Sequence, residues 1–327
     1  KLIICINILY VKNMKDNFFK IIGLMSGTSI DGIDVSLVKT NGEKFFPIDN
    51  YFYKYNLQTK KLLSNILENR NEIINHIQKR KRIDQFVSKL HLLALKKSGF
   101  LPKSDFVGFH GQTIYHNPRL RKTIQLGDPK MIAKIIKKNV VSDFRSQDIS
   151  NSGEGAPLAP IFHKAIIEKL EIKLPCCFIN IGGIANITFW DGKKLIGFDT
   201  GPGNVLLDKY CQRYLEIDYD NEGNIASNGN VDKNFLSNLI GNPYFTKMYP
   251  KSIDKLFFEE DFRKLIDLNL SHEDALATLV QLVVETLKIS LNILPYKPKS
   301  ILISGGGAKN THLKKKIRQS FKTNYID

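Results

Sequence analysis

The stretch Ile21-Ile-Gly-Leu-Met-Ser-Gly-Thr-Ser-Ile-Asp-Gly-Ile-Asp-Val-Ser-Leu-Val38 decides how this chain is read. Ile21–Met25 is a short apolar run of the kind that forms a buried strand, and Ile33–Val38 is a second. Between them lies a turn of small and polar residues, Ser26 to Gly32. Gly27 and Gly32 let the backbone come close to a ligand, and successive N–H groups in such a turn can form an anion-binding nest. The hydroxyls of Ser26, Thr28 and Ser29 add donors, and Asp31 could hold Mg²⁺ through water, because that ion keeps much of its hydration shell. Taken alone, the same residues would equally make an ordinary tight hairpin.

Two more glycine turns follow apolar strands. Gly182-Gly183 joins the strands Cys176–Ile181 and Ile184–Trp190, and Gly305-Gly306-Gly307 closes the strand Ser300–Ser304. Three such turns, spread over both halves of the chain, favour nucleotide binding in a cleft. The sequence contains neither a GxxxxGK[ST] phosphate loop nor a GxGxxG turn opening a helix. A phosphotransferase without either is expected to use an actin-like architecture, with hairpin turns gripping the phosphates.

Further strands are expected at Phe106–Phe109, Thr123–Leu126, Asn139–Ser142 and Leu195–Phe198. Helical spacing is expected over 58–98, over Lys130–Lys138, after Asn204, and from a Ser271 cap to a stop at Pro295. Strands alternating with helices make this an α/β protein. No internal repeat is visible by identity.

Composition narrows the class. At 43% hydrophobic and 24% charged, 327 residues supply a core for each of two lobes, which excludes disordered and fibrous classes. Lys and Arg number 48 against 32 acidic residues, a formal charge of +16. The basic runs are dispersed and lack interleaved aromatics, so no nucleic-acid partner is expected, although a positive surface favours an anionic substrate. Cys5, Cys176, Cys177 and Cys211 form no CxxC pair, which fits a reducing cytoplasm. The apolar start, Lys1–Val11, falls short of the roughly 20 residues that cross a membrane. The chain does not begin with Met, whereas Met14 precedes the first motif, so residues 1–13 are set aside as an extension. Lobe one is then 14–138 and lobe two 139–327.

Several polar residues could carry chemistry. Asp199 stands after a strand and before a Gly-Pro turn and a helix, where it could be a helix cap or a general base. Arg145 and Glu154, in a long glycine-containing loop, could orient a substrate or anchor the loop. His110 and Gln112 suit hydrogen bonding at a strand end. A metal at His110 and His116 lacks a third ligand. His163 reads as a packed residue at a helix start. Ser304 lacks the GxSxG elbow of a hydrolase.

These stretches together resemble the anhydro-N-acetylmuramic acid kinases, bacterial enzymes of the actin-like sugar kinase superfamily. The matching runs are Gly23–Asp34, His110-Gly-Gln-Thr113 with His116 and Pro118, Gln125-Leu-Gly-Asp-Pro129, and Asp143-Phe-Arg145 with Asp148. They continue through Gly155-Ala-Pro-Leu158, Phe162-His163, Asn180–Asn186, Gly197–Asn204, Pro250-Lys-Ser252 and Ser304–Asn310. The resemblance implies a two-lobed actin-like fold with a central cleft, Mg-ATP as phosphate donor, a small sugar as acceptor, and a homodimer as a candidate assembly. It sets ATP phosphates against Ser26, Gly27, Thr28, Ser29, Ile30, Asp31, Gly32 and Ile33 and against Gly182-Gly183, and the nucleoside side near Gly305–Gly307. Asp199 would be the base that activates water to open the 1,6-anhydro ring, freeing O6 to attack the γ-phosphate.

The sequence departs from that pattern in three places. Ser152 stands where a second glycine is common, and Ile253-Asp-Lys-Leu256 replaces a more usual Thr-Gly-Arg-Glu. The resemblance also implies a further strand and helix, carrying a Glu near the site, beyond Asp327. Two other classes follow from the same residues: an actin-like kinase of another sugar or carboxylate, and a non-catalytic remnant that only binds nucleotide or a partner.

Overall fold

The structure, a computed structural model, describes residues 17–27, 29–253, 255–321 and 323–326. The extension 1–13, Cys5 and Thr28 lie outside the described residues. The chain forms two compact units, residues 1–155 and 156–327.

In the first unit, β1 (Phe19–Ser26) turns back into β2 (Gly32–Thr40), and β3 (Phe45–Lys54) completes an antiparallel meander. The strands alternate as a half-buried pair should: Ile22 and Leu24 point inward from β1, and Ile33, Val35 and Leu37 from β2. Helices Leu57–Glu68, Arg70–Asn75 and Ile77–Ser98 follow, burying Leu63, Ile66, Ile73, Val87 and Leu95 against those residues. β4 (Phe106–Asn117) then lies parallel to β1. Its first half pairs in parallel with β6 (Asn139–Ser142), and its second half is met by the antiparallel β5 (Lys122–Leu126). Because β6 belongs to this sheet, the boundary expected at 138/139 falls instead after Gly155.

β3 is absent from the sequence reading, and Pro47 inside it explains why. Proline cannot donate to a ladder and is tolerated on an edge strand. There it pairs with Val38 at a register shift, and Phe46, Ile48 and Phe52 are exposed.

The second unit repeats the plan. β7 (Cys176–Ile181), β8 (Ile184–Trp190) and β9 (Leu195–Pro202) form an antiparallel meander. After a helical excursion, β10 (Ser300–Ser304) adds parallel to β7, and β11 (Asn324–Ile326) adds parallel to β10. The order β11-β10-β7-β8-β9 matches β6-β4-β1-β2-β3 strand for strand. The duplication invisible by identity is thus present as topology, and it is the architecture of the actin-like kinases. The helix His272–Asn292 covers this second sheet. It opens where expected, with the Ser271 side chain accepting from the Asp274 N–H, and it buries Leu276, Leu279, Val280, Val283, Leu287 and Leu291.

Candidate active site

The hairpins β1–β2 and β7–β8 occupy equivalent places in the two units, and each carries a glycine turn that the sequence singled out. In the first unit the turn is tied down from behind. Buried Ser26 donates from Oγ to the Gly111 carbonyl at 3.1 Å, and Gln112 Nε2 donates to the Gly27 carbonyl at 3.1 Å. The Ile30 N–H closes back on the Gly27 carbonyl, with Ile30 at φ +59°. A β-carbon at Gly32 would lie 2.3 Å from the Tyr53 carbonyl oxygen, so only glycine lets β2 start here. Gln112 Oε1 is buried with no hydrogen-bond partner among the described residues, so an acceptor remains beside the turn.

His110 and Gln112 lie within β4, which runs eight residues past the expected strand end at Phe109. His110 is 8% exposed. Its Nδ1–H donates to the Gly111 carbonyl at 2.8 Å, and its Nε2 accepts from Arg145 Nε–H at 3.0 Å. Burial, then the Arg145 guanidinium, lowers its pKa to about 4, so the imidazole is neutral. Arg145 continues the chain by donating to the Gly155 carbonyl at 2.7 Å. The structure therefore joins Ser26, Gly111, His110, Arg145 and Gly155 in one polar relay from the Ser26–Gly32 turn to the 143–155 loop. Glu154 lies in that loop, half-buried.

Asp148 organises the loop: it accepts from Gly155 N–H at 2.7 Å on Oδ2 and from Gly153 N–H at 2.8 Å on its carbonyl. Ser152 adopts φ +68°, a left-handed conformation that glycine takes without strain. Ser152→Gly is expected to stabilise the first unit by about 0.5–1 kcal/mol, the relief of left-handed strain offset in part by unfolded-state entropy. A melting temperature higher by about 1–3 °C would register it, and an unchanged or lower value would contradict it.

Asp31 and Asp34 flank the start of β2. Asp34 is exposed, yet its carboxyl is pushed up in pKa, first by desolvation from the groups around it and then by the neighbouring Asp31 charge. Two carboxylates that repel each other are a donor set a hydrated divalent cation would relieve, so these residues fit Mg²⁺.

In the second unit the carbonyls of Gly182 and Gly183 accept from the N–H groups of Asn204 (2.8 Å) and Gly203 (2.8 Å). A β-carbon at Gly203 would sit 2.2 Å from the Gly182 oxygen, and one at Gly305, where φ is +83°, 2.5 Å from the Ile181 oxygen. Gly307 is packed as closely on the Ile181 side chain, and Asn204 Nδ2 reaches the space beside Gly306. The hairpin, the Gly203-Asn204 bend and the Gly305–Gly307 turn are thus one cluster.

Asp199 lies inside β9, which extends to Pro202, four residues beyond the expected end at Phe198. It does not cap the helix Val205–Tyr210, whose cap position is Asn204 with no side-chain bond. It is 7% exposed, and its Oδ2 accepts from the Ile253 N–H at 3.1 Å. Across the sheet it faces Asn186, whose buried Oδ1 has no partner among the described residues. Sequence reading missed three neighbours of this site: Asn186, Tyr244 and Lys251. The motifs that hold Asn186 and Lys251 were visible, but nothing local marked those side chains as partners of Asp199. His163 is packed as expected, stacked on Phe178 at 3.9 Å and bonded to Thr188 Oγ1 at 2.8 Å.

Paired units of this topology, each with a glycine turn at its first hairpin, are the actin-like fold. The chain belongs to the anhydro-N-acetylmuramic acid kinase family, whose pattern it matches over residues 19–327. The anhydro-N-acetylmuramic acid kinase of Pelagibacter ubique (strain HTCC1062) is 37% identical over 327 residues, spanning 94% of this chain and 85% of that protein. The one from Hydrogenovibrio crunogenus (strain DSM 25203 / XCL-2) is 40% identical over 304 residues, 89% of this chain and 80% of that protein. Among solved structures, a ROK family glucokinase from Streptomyces griseus in complex with glucose and AMPPNP is 10% identical. The match spans 94% of this chain and 93% of that one at a TM-score of 0.40.

Proposed function

We propose that this chain uses ATP to phosphorylate 1,6-anhydro-N-acetylmuramic acid on O6, opening the anhydro ring with water in the same turnover. Family membership supports the substrate. The observation that carries the chemistry is Asp199, a buried carboxylate held by the Ile253 N–H on a strand beside a cluster of glycine turns.

In this reading Asp199 takes a proton from water as the water oxygen bonds to C1 of the sugar. The C1–O6 bond breaks, and the freed O6 attacks the γ-phosphorus. The O6–P bond forms as the bond to the β-phosphate oxygen breaks, releasing ADP, and the proton on Asp199 passes to solvent. Phosphoryl transfer of this kind needs mainly positioning and charge stabilisation. Ser26, Gly27, Thr28, Ser29, Ile30, Asp31, Gly32 and Ile33 and Gly182-Gly183 would hold phosphate oxygens, and Gly305–Gly307 the nucleoside side. Asp31 and Asp34 would hold Mg²⁺ through water, the ion supplying charge neutralisation on the phosphates. His110, Gln112, Arg145 and Glu154 would orient the sugar, His110 acting through Arg145, whose Nε–H its neutral Nε2 already accepts. No helix among the described residues is long and apolar enough to cross a membrane, and the described cysteines are free and buried. Free thiols fit the reducing cytoplasm, where ATP is supplied.

The test is turnover in water enriched in heavy oxygen. The expected product is N-acetylmuramate 6-phosphate with the heavy oxygen on C1 and none in the phosphate. Faster phosphorylation of an ordinary hexose than of the anhydro sugar would point to a kinase of a different acceptor. No ADP formation with any sugar would leave a nucleotide-binding remnant.

A further inference from the structure

Lys251 is the least expected residue of the second unit. Its side chain is 1% exposed, and among the described residues it meets no carboxylate at ion-pair distance. A buried ammonium without a counter-ion is costly to a fold, so its placement calls for another explanation. Its partners supply one. Nζ donates to the carbonyls of Tyr244 (3.1 Å) and Phe245 (2.9 Å), at the end of the short helix Pro243–Thr246. It also lies over the rings of Tyr244 and Phe198, at 5.0 and 5.4 Å from their centroids.

Two of these partners, Tyr244 and Phe198, lead back to Asp199. The Tyr244 hydroxyl donates to the Asp199 carbonyl at 2.8 Å, and the Asp199 N–H donates to the Lys251 carbonyl at 3.1 Å. Two residues beyond Lys251, the Ile253 N–H meets the Asp199 carboxylate itself. The hydrogen bonds therefore close a ring, Asp199 to Tyr244 to Lys251 and back to Asp199, with the ammonium as its one charged link. Phe198, under the ammonium, is the residue before Asp199 on β9. The backbone on both sides of the carboxylate is thus fixed by one cation.

We propose that Lys251 is a positioning residue for Asp199: with Tyr244, it holds the 250–253 segment in the register that presents the Ile253 N–H to the carboxylate. The inference rests on the reading of Asp199 as the base. It assigns Lys251 no contact with ATP or sugar, so loss of the ammonium acts on kcat and spares substrate affinity. That split separates positioning from a general loosening of the fold, which would move KM as well.

Purified Lys251→Met, Tyr244→Phe, the double variant and Asp199→Asn are compared with the unaltered chain, using ATP and 1,6-anhydro-N-acetylmuramic acid. Lys251→Met keeps the apolar stem and removes the charge; it is expected to lower kcat by about 10–100-fold, with both KM values within about 3-fold. Tyr244→Phe loses one hydroxyl and should lower kcat by about 3–10-fold. The double variant should fall no further than Lys251→Met alone, since both act through one ring. Should Lys251→Met not fold, Tyr244→Phe decides the matter, because its ring still fills the same space. Unchanged kcat in a folded Lys251→Met or in Tyr244→Phe, with Asp199→Asn strongly impaired, overturns the positioning role alone. Full activity in Asp199→Asn overturns the assignment of the base instead.

Discussion

Asp199→Asn is expected to lower kcat by about 10²–10⁴-fold, the range typical for loss of a positioned general base. The amide is nearly isosteric with the carboxylate and retains an oxygen that can accept the Ile253 N–H, now 3.1 Å away. The backbone bonds of residue 199 to Lys251 and Tyr244 do not involve its side chain and should persist. What disappears is the ability to take a proton from the attacking water. The change should therefore fall on kcat, with ATP affinity and melting temperature close to those of the unaltered chain. Steady-state kinetics with the anhydro sugar, alongside a thermal melt, checks both halves. An Asp199→Asn enzyme as fast as the unaltered one would remove the base from the mechanism. A variant that melts far earlier would recast Asp199 as a structural residue.

The second large effect is on stability in mild acid. His91 and His110 in the first unit, and His163 in the second, are all buried, and in each case burial is the leading cause that lowers the pKa to about 4. His91 is fully enclosed, edge-on to Phe109 at 4.9 Å, with Nδ1 bonded to the Val87 carbonyl and Nε2 without a partner among the described residues. Unfolded histidine titrates near 6.5 and these three near 4, so between those values the unfolded state binds more protons than the folded one. Stability should consequently be level above about pH 6.5 and fall as pH drops toward 4, by up to roughly 3 kcal/mol for each histidine. The stretch from pH 6.5 to 5 separates this from most carboxylates. Asp84 and Asp261, whose carboxyls burial holds above their usual range, work in the opposite direction lower down. Denaturant unfolding at half-unit steps of pH measures the slope. His163→Phe, which keeps a ring against Phe178, should flatten it in the second unit; a slope of zero in the unaltered protein would mean these histidines titrate normally in the fold.

Much of the site was legible before any folding. The turn Ser26–Gly32 could be read because its constraints are local: apolar runs on either side, and glycines where no β-carbon fits. The same holds for Gly182-Gly183 and Gly305–Gly307, and for the Ser271 cap with its apolar stripe. Asp199 was marked by its motif but misplaced at a strand end, since periodicity cannot say where a strand stops when the partner that extends it is distant. Asn186 and Thr200, across from and beside it, carry β9 on to Pro202.

Left to itself, the sequence determined the glycine turns and the class of most segments, because backbone sterics and side-chain period act over a few residues, and its motifs singled out Asp199 as the candidate carboxylate. Tertiary structure alone decided the rest. It assigned β6 to the first sheet, made the two units topological copies without shared identity, linked Arg145 to the Ser26–Gly32 turn through a neutral His110, and set Lys251 and Tyr244 around Asp199. Each of these joins residues far apart in the chain through hydrogen bonds that exist only once the intervening segments have packed.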